Sequence, residues 1–130
     1  MKYTFNASGH VNIRGTHKTT LEITKDTHLT EEGDCIIAVN ADFDYQKLKP
    51  FLHKEKIEMR LNIGKIEDTV AATVNPDFSD GNELVIRLGD FNSKRTFAVH
   101  ADKAAFHLKR ELMNELKNPQ AKLFITIESE

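Results

Sequence analysis

Apolar and polar residues alternate most regularly in the stretch from Ile57 to Val74. The apolar positions are Ile57, Met59, Leu61, Ile63, Ile66, Val70, Ala72 and Val74. Because successive side chains of a strand point to opposite faces, this pattern predicts antiparallel strands over about 57–63 and 66–75, joined by a two-residue turn at Gly64-Lys65. Asp68 interrupts the apolar face. We interpret it as a charge that protects an edge strand, with a site carboxylate as the alternative.

Other segments also have the character of strands. Short apolar or alternating runs predict strands within 35–41, 82–88, 95–101 and 122–128. Nearer the N-terminus, residues 2–14 and 17–25 are rich in β-branched and aromatic residues and are divided by Gly15-Thr16. That arrangement predicts a second tight hairpin, in which Arg14 lies opposite His17 and Asn12 lies opposite Thr19.

Helical spacing occurs in two segments. In the first, about 102–117, apolar residues three and four apart predict a long amphipathic helix that begins at Asp102 and ends before Asn118-Pro119. Its apolar positions are Ala105, Leu108, Leu112 and Leu116. The second, near 44–55, predicts a shorter or broken helix with Pro50 near the start of its second part, because proline disrupts a helix interior.

Together these elements predict an α+β fold. Strands outnumber helices and several join through tight hairpins, so we expect a largely antiparallel sheet. The long C-terminal helix and the shorter one should cover one face of it. Neither a repeat nor a linker divides the chain, and we expect residues 1–130 to form a single globular domain.

Composition restricts the class of protein. Hydrophobic residues make up 39% of the chain and charged residues 29%, as in a globular protein. The longest uncharged apolar run, CIIAV, is far shorter than the roughly 20 residues of a membrane helix, and the N-terminus has no apolar signal segment. We therefore expect a cytoplasmic protein with no membrane partner. The lone cysteine, Cys35, excludes an internal disulfide and is expected in the core.

Charge is unevenly distributed along a chain whose net charge is −2. Residues 1–21 contain three basic residues and no acid, whereas residues 22–45 contain seven acids and one base. In the predicted first hairpin one face carries His10, Asn12, Arg14, His17 and Thr19. Arginine offers a planar fork of donors that fits phosphate or carboxylate, so these five residues predict a site for a small anionic ligand. The glycine-rich phosphate loops are absent, and no nucleic-acid motif is evident.

The same cluster supports other interpretations. His17 and Glu22 are candidate catalytic residues, because a histidine oriented by a carboxylate is a useful base near neutral pH; Asp34 and Asp68 could replace Glu22. That hypothesis describes a small-molecule enzyme. The alternative without a function is a pair of solvent-exposed polar strands that binds no ligand. A further alternative is a non-catalytic assembly module, since unpaired sheet edges favour a homo-oligomer.

Metal binding has weaker support. His10 and His17 could meet across a tight turn, with Glu22, Asp34 or His100 as a third ligand. However, the chain has no HxxxH or HExxH spacing, and Arg14 would repel a cation. We assign no metal site, and the sequence specifies no cofactor.

Three segments resemble a known family. GHVNIRGTHKTTLEIT, GDCIIAV and ADKAAFHLKREL, in this order, are similar to an uncharacterised archaeal domain family that has only a domain-of-unknown-function name. The resemblance extends from Gly9 to about Leu116, and its first segment is the most specific. It implies an archaeal source and a small cytoplasmic single-domain protein without an established activity. It transfers no catalytic roles.

Overall fold

A computed structural model describes all 130 residues, which form eight strands, two short α-helices and two 3-10 helices. The strands are β1 (Lys2–Ser8), β2 (Thr20–Thr24), β3 (Ile36–Ala38), β4 (Lys56–Ile63), β5 (Ile66–Val74), β6 (Glu83–Arg87), β7 (Thr96–Val99) and β8 (Lys122–Glu128). The α-helices are α1 (Tyr45–Leu48) and α2 (Arg110–Glu115), and the 3-10 helices are Lys49–His53 and Ala105–His107. None of these helices has the length and apolar character that crossing a membrane requires.

All eight strands belong to one sheet of order β1-β8-β4-β5-β7-β6-β2-β3. The β2–β3 and β6–β7 pairs are parallel and the other pairs are antiparallel, which confirms an α+β fold with a largely antiparallel sheet. The two outer strands also meet. Ser8 and Val39 exchange backbone hydrogen bonds of 2.8 and 2.9 Å, so the sheet curls until its ends touch.

The β4–β5 hairpin is as predicted. Ile63 pairs with Ile66, Met59 with Val70 and Ile57 with Ala72, in the register that the alternation of apolar residues implies. Gly64 has a positive φ of 57°, which glycine tolerates at a tight turn without steric strain. The interrupted helix near 44–55 is also confirmed, because α1 gives way to a 3-10 helix that begins next to Pro50.

The prediction of one long C-terminal helix is wrong. Residues 102–117 divide into the 3-10 helix Ala105–His107 and α2, and Lys109 between them has an extended ψ of 127°. Side chains hold the break open. Asp68 accepts the Lys109 N–H at 2.9 Å, and the Arg110 guanidinium donates to the carbonyl oxygens of Ala105 and Leu108 at 2.7–3.0 Å. These contacts replace helical hydrogen bonds. Ala105, Leu108, Leu112 and Leu116 are nevertheless all buried, and α2 packs against β4 and β5.

The prediction of a hairpin near the N-terminus is also wrong. β1 ends at Ser8 and pairs with β8, whereas β2 begins at Thr20 and pairs with β6 and β3. Residues 9–19 are not strand but a connection between two distant positions in the sheet. The predicted opposition of Arg14 with His17, and of Asn12 with Thr19, therefore does not exist.

Candidate functional site

The segment 9–19, which carries the five predicted ligand residues, is held against α2 and the turn that follows it. The Gly9 and His10 N–H groups donate to Ala121 and Leu116, and Ile13 is buried. A Cβ atom at Gly9 would clash with the carbonyl oxygens of Leu116 and Asn118, and one at Gly15 would clash with the Met113 side chain. These glycines permit close packing and do not form a hairpin turn.

Three of the predicted residues lie together at one side of this segment. The Asn12 side chain donates to the Leu29 carbonyl at 2.7 Å, and Nδ1 of His10 accepts the Asn12 N–H at 3.0 Å. Arg14 is exposed and donates from one terminal nitrogen to the Glu31 carbonyl at 3.0 Å. An open groove of about 310 Å³ lies here, lined by Val11, Asn12, Ile13, Arg14, Glu31 and Lys117. We refer to it as the Arg14 groove.

The other two predicted residues contact a different part of the molecule. Nδ1 of His17 accepts the N–H groups of Thr19 and Thr20 at 3.3 and 3.1 Å, so the imidazole caps the start of β2. The His17 carbonyl accepts the Phe106 N–H, and the Thr19 carbonyl accepts the Leu88 N–H. No hydrogen bond or ion pair joins the His17 ring to a carboxylate, and His17 does not line the Arg14 groove.

Glu22, the second catalytic candidate, lies in a separate polar cluster on β2. Its side chain is buried, and Oε1 accepts from Arg95 at 3.2 Å and faces the Cys35 thiol at 4.0 Å. Arg95 also pairs with Glu83 at 2.9 Å. Burial, assisted by the negative charge of Glu83, raises the pKa of Glu22 to about 7, although Arg95 opposes the shift.

Cys35 is therefore not the core residue that the sequence suggests. It is half-buried beside Glu22 and precedes β3. Burial and the charge of Glu22 raise the pKa of its thiol to about 11, so it is protonated at neutral pH. The pair is a carboxyl group with a pKa of about 7 beside a protonated thiol.

Asp68 does not protect an edge, because β5 lies between β4 and β7 in the sheet. Its carboxylate accepts the Lys103 ammonium at 2.7 Å, the Thr69 N–H at 2.8 Å and the Lys109 N–H at 2.9 Å. Burial alone would raise the pKa of Asp68, but these donors hold it below its usual value. Asp68 joins β5 to the start of α2.

The histidines of the segment do not approach each other as the metal hypothesis requires. The His10 ring lies against His28, with ring centroids 6.1 Å apart, whereas His17 caps β2. No group of three or more His, Cys, Asp or Glu side chains has the arrangement of a metal site.

Comparison with known proteins places the chain in a family. A family model described as "Domain of unknown function (DUF371)" matches residues 5–130. The chain belongs to the DUF371 family. An archaeal relative, "Uncharacterized protein MJ0206" of Methanocaldococcus jannaschii, is 33% identical over 131 residues, which cover 95% of this chain and 97% of the relative.

The resemblance inferred from the three sequence segments is thus confirmed, and no function is assigned to the DUF371 family. All five predicted ligand residues fall within the matched range. Sequence reasoning missed Lys117 in the Arg14 groove and Arg95 beside Glu22. Each is more than 70 positions from its partner in the chain, so neither spacing nor local charge could connect them.

Proposed function

We propose that this DUF371 protein binds a small phosphate- or carboxylate-bearing ligand in the Arg14 groove. The observation that carries the proposal is the convergence of Arg14 and Lys117 on one open groove while neither side chain forms an ion pair. Two unpaired cations on one concave surface attract an anion more strongly than either does alone.

The geometry of Arg14 suits this role. Its only protein hydrogen bond comes from one terminal nitrogen to the Glu31 carbonyl, so the other terminal nitrogen and Nε remain available to an anion. A guanidinium fixed at one corner can still present two parallel N–H groups to a phosphate or carboxylate. Asn12 and His10 stabilise the loop: the Asn12 side chain donates to Leu29, and His10 accepts the Asn12 N–H.

The groove also contains Glu31, which limits what it can bind. If Glu31, Arg14 and Lys117 are all ionised, the residues that line the groove carry a single net positive charge. We therefore expect a preference for a small anion with one or two negative charges over a polyanion.

Calorimetric titration with inorganic phosphate tests the proposal. Arg14→Ala should weaken phosphate binding by about 1.5–3 kcal/mol, the range for charge-assisted hydrogen bonds. Arg14→Lys should recover only part, because lysine keeps the charge and loses the bidentate geometry. Lys117→Ala should also weaken binding, whereas Lys65→Ala, an exposed lysine in the β4–β5 turn, serves as the charge-matched control.

Because Arg14 is exposed, none of these variants should change the free energy of unfolding by more than about 0.5 kcal/mol. Equal phosphate affinity in wild type and Arg14→Ala would contradict the proposal. So would an equal loss in Lys65→Ala, which would indicate binding through net charge alone.

A further inference from the structure

Of the three exposed phenylalanines, two have a cation next to the ring and the third does not. Phe91, Phe106 and Phe124 are 64%, 50% and 41% exposed, respectively. The Arg87 guanidinium lies 4.8 Å from the Phe91 ring centroid, and the Lys18 ammonium lies 6.0 Å from that of Phe106. No cation lies over Phe124. The first two rings thus combine an apolar surface with an adjacent positive charge.

Segment 17–19 is hydrogen-bonded to the backbone near both rings, although they are distant from it in sequence. The Phe106 N–H donates to the His17 carbonyl at 3.0 Å, and the Leu88 N–H, at the start of the loop that carries Phe91, donates to the Thr19 carbonyl at 3.0 Å. Lys18 lies between these two anchors. The chain segments that carry the two cation–aromatic pairs are therefore both hydrogen-bonded to the same short length of backbone.

The charges of this surface are available to a ligand. Arg87 donates from Nε to Thr96 at 3.1 Å, and its two terminal nitrogens have no protein partner. Lys18 makes no side-chain hydrogen bond, and neither residue belongs to an ion pair. The His107 and Phe106 rings are nearly perpendicular, with centroids 5.5 Å apart, and Nδ1 of His107 accepts the Ala104 N–H, which fixes the His107 ring.

We infer that Phe91, Phe106 and segment 17–19 form a binding surface for single-stranded nucleic acid. Exposed aromatic rings next to unpaired cations match unstacked bases joined by phosphates, because each base can stack on a ring while a phosphate meets the cation. A duplex would not offer its base faces. Two separate rings suit two bases of one strand better than a single mononucleotide.

Fluorescence anisotropy with a labelled short oligouridine, at about 50 mM and 200 mM salt, tests this inference. Phe91→Ala and Phe106→Ala should each weaken binding by roughly 5- to 150-fold, the range for loss of one stacked base. Phe91→Tyr should retain most of the affinity, since it keeps the ring. Phe124→Ala is the matched control, because it removes an exposed phenylalanine that has no adjacent cation.

Charge and strandedness give independent readouts. Lys18→Met should lower the slope of log affinity against log salt by about 1, as expected for loss of one phosphate contact. The inference is overturned if the oligonucleotide does not bind saturably at the lower salt, or if Phe124→Ala weakens binding as much as Phe91→Ala. Equal affinity for a duplex of the same length, or for uridine monophosphate, overturns it as well.

Discussion

Asp68 and Glu22 are both buried carboxylates on strands of the same sheet, 6% and 4% exposed, yet their pKa values shift in opposite directions. Asp68 has three donors, two backbone N–H groups and the Lys103 ammonium, divided between both of its oxygens. Glu22 has one strong hydrogen-bond donor, the Arg95 guanidinium, which it shares with Glu83.

The difference shows that dedicated donors, together with the depth of burial and the neighbouring charges, decide the protonation state of a buried acid. Three donors outweigh the loss of hydration at Asp68, so its charged form is stable and contributes to the fold. At Glu22 the shared arginine does not compensate for burial and for the neighbouring acid. Its charged form is therefore disfavoured, which is a property more often found at functional sites.

Removing the stabilised carboxylate should have the largest effect. Asp68→Ala leaves the Lys109 and Thr69 N–H groups without their acceptor. Lys103 keeps only its bond to the Thr69 carbonyl, and we expect the free energy of unfolding to fall by about 3–4 kcal/mol. The low end of the usual range applies because Lys103 reaches solvent. Urea denaturation measures this. Asp77→Ala, at an exposed acid without an ion pair, should change stability by less than about 0.5 kcal/mol. A similar loss of stability in both variants would show that the buried Asp68 contributes no more to stability than an exposed acid.

Neutralising the Glu22 carboxylate should have the opposite effect and raise the free energy of unfolding. The folded-state pKa of Glu22, about 7, lies above its ordinary value of 4.5, so the folded state holds this proton more tightly. Glu22 should therefore lower stability progressively as pH rises from about 4.5 to 7, by about 3 kcal/mol in total. Glu22→Gln should stabilise the protein by up to this amount at pH above 7, and by little below pH 4.5.

Denaturant midpoints of wild type and Glu22→Gln at both ends of this pH range test the sign. Glu32→Gln, at an exposed acid, provides the comparison for a simple change in net charge. If Glu22→Gln destabilises the protein at high pH, the Arg95 contact stabilises the charged carboxylate, and Glu22 resembles Asp68 after all.

The smallest effect concerns the shared donor. Arg95→Gln removes the larger of the two cationic contributions that oppose the shift at Glu22, the other being Arg87, so the pKa of Glu22 should rise further above its ordinary value. Carbon-13 NMR titration of the side-chain carboxyl groups would measure this directly. The titration of Asp68 should not respond, because Arg95 is not among its partners. A lower pKa for Glu22 in this variant would show that Arg95 does not support its charge.

The β4–β5 hairpin could be predicted in register because every contact that defines it is local. Partners such as Met59 and Val70 belong to consecutive strands 11 positions apart, and the turn glycine lies between them. The broken helix at Pro50 was predictable for the same reason, since proline changes its own backbone and that of the preceding turn. The composition of the cluster at 9–26 was equally visible, but not the contacts of its residues.

Contacts between distant segments explain the errors. A helical pattern over 102–117 could not reveal that Asp68, on a strand more than 30 residues earlier, would accept the Lys109 N–H and stop the helix. The Gly15-Thr16 pair resembles a hairpin turn, but the positive φ of Gly15, 61°, serves a connection that passes close to the Met113 side chain. In each case a hydrogen bond or a steric limit from another element overrode a local preference.

The sequence by itself determined the class of fold, the largest hairpin, the buried positions around α2 and the family, because periodicity and short-range spacing record them. Tertiary structure alone decided how the polar residues are grouped. It joined Arg14 to Lys117, placed Glu22 beside Cys35 and Arg95, and separated His17 from both groups. The physical reason is that a strand's neighbours in the sheet come from remote parts of the chain, and burial and charge pairing are set by those neighbours.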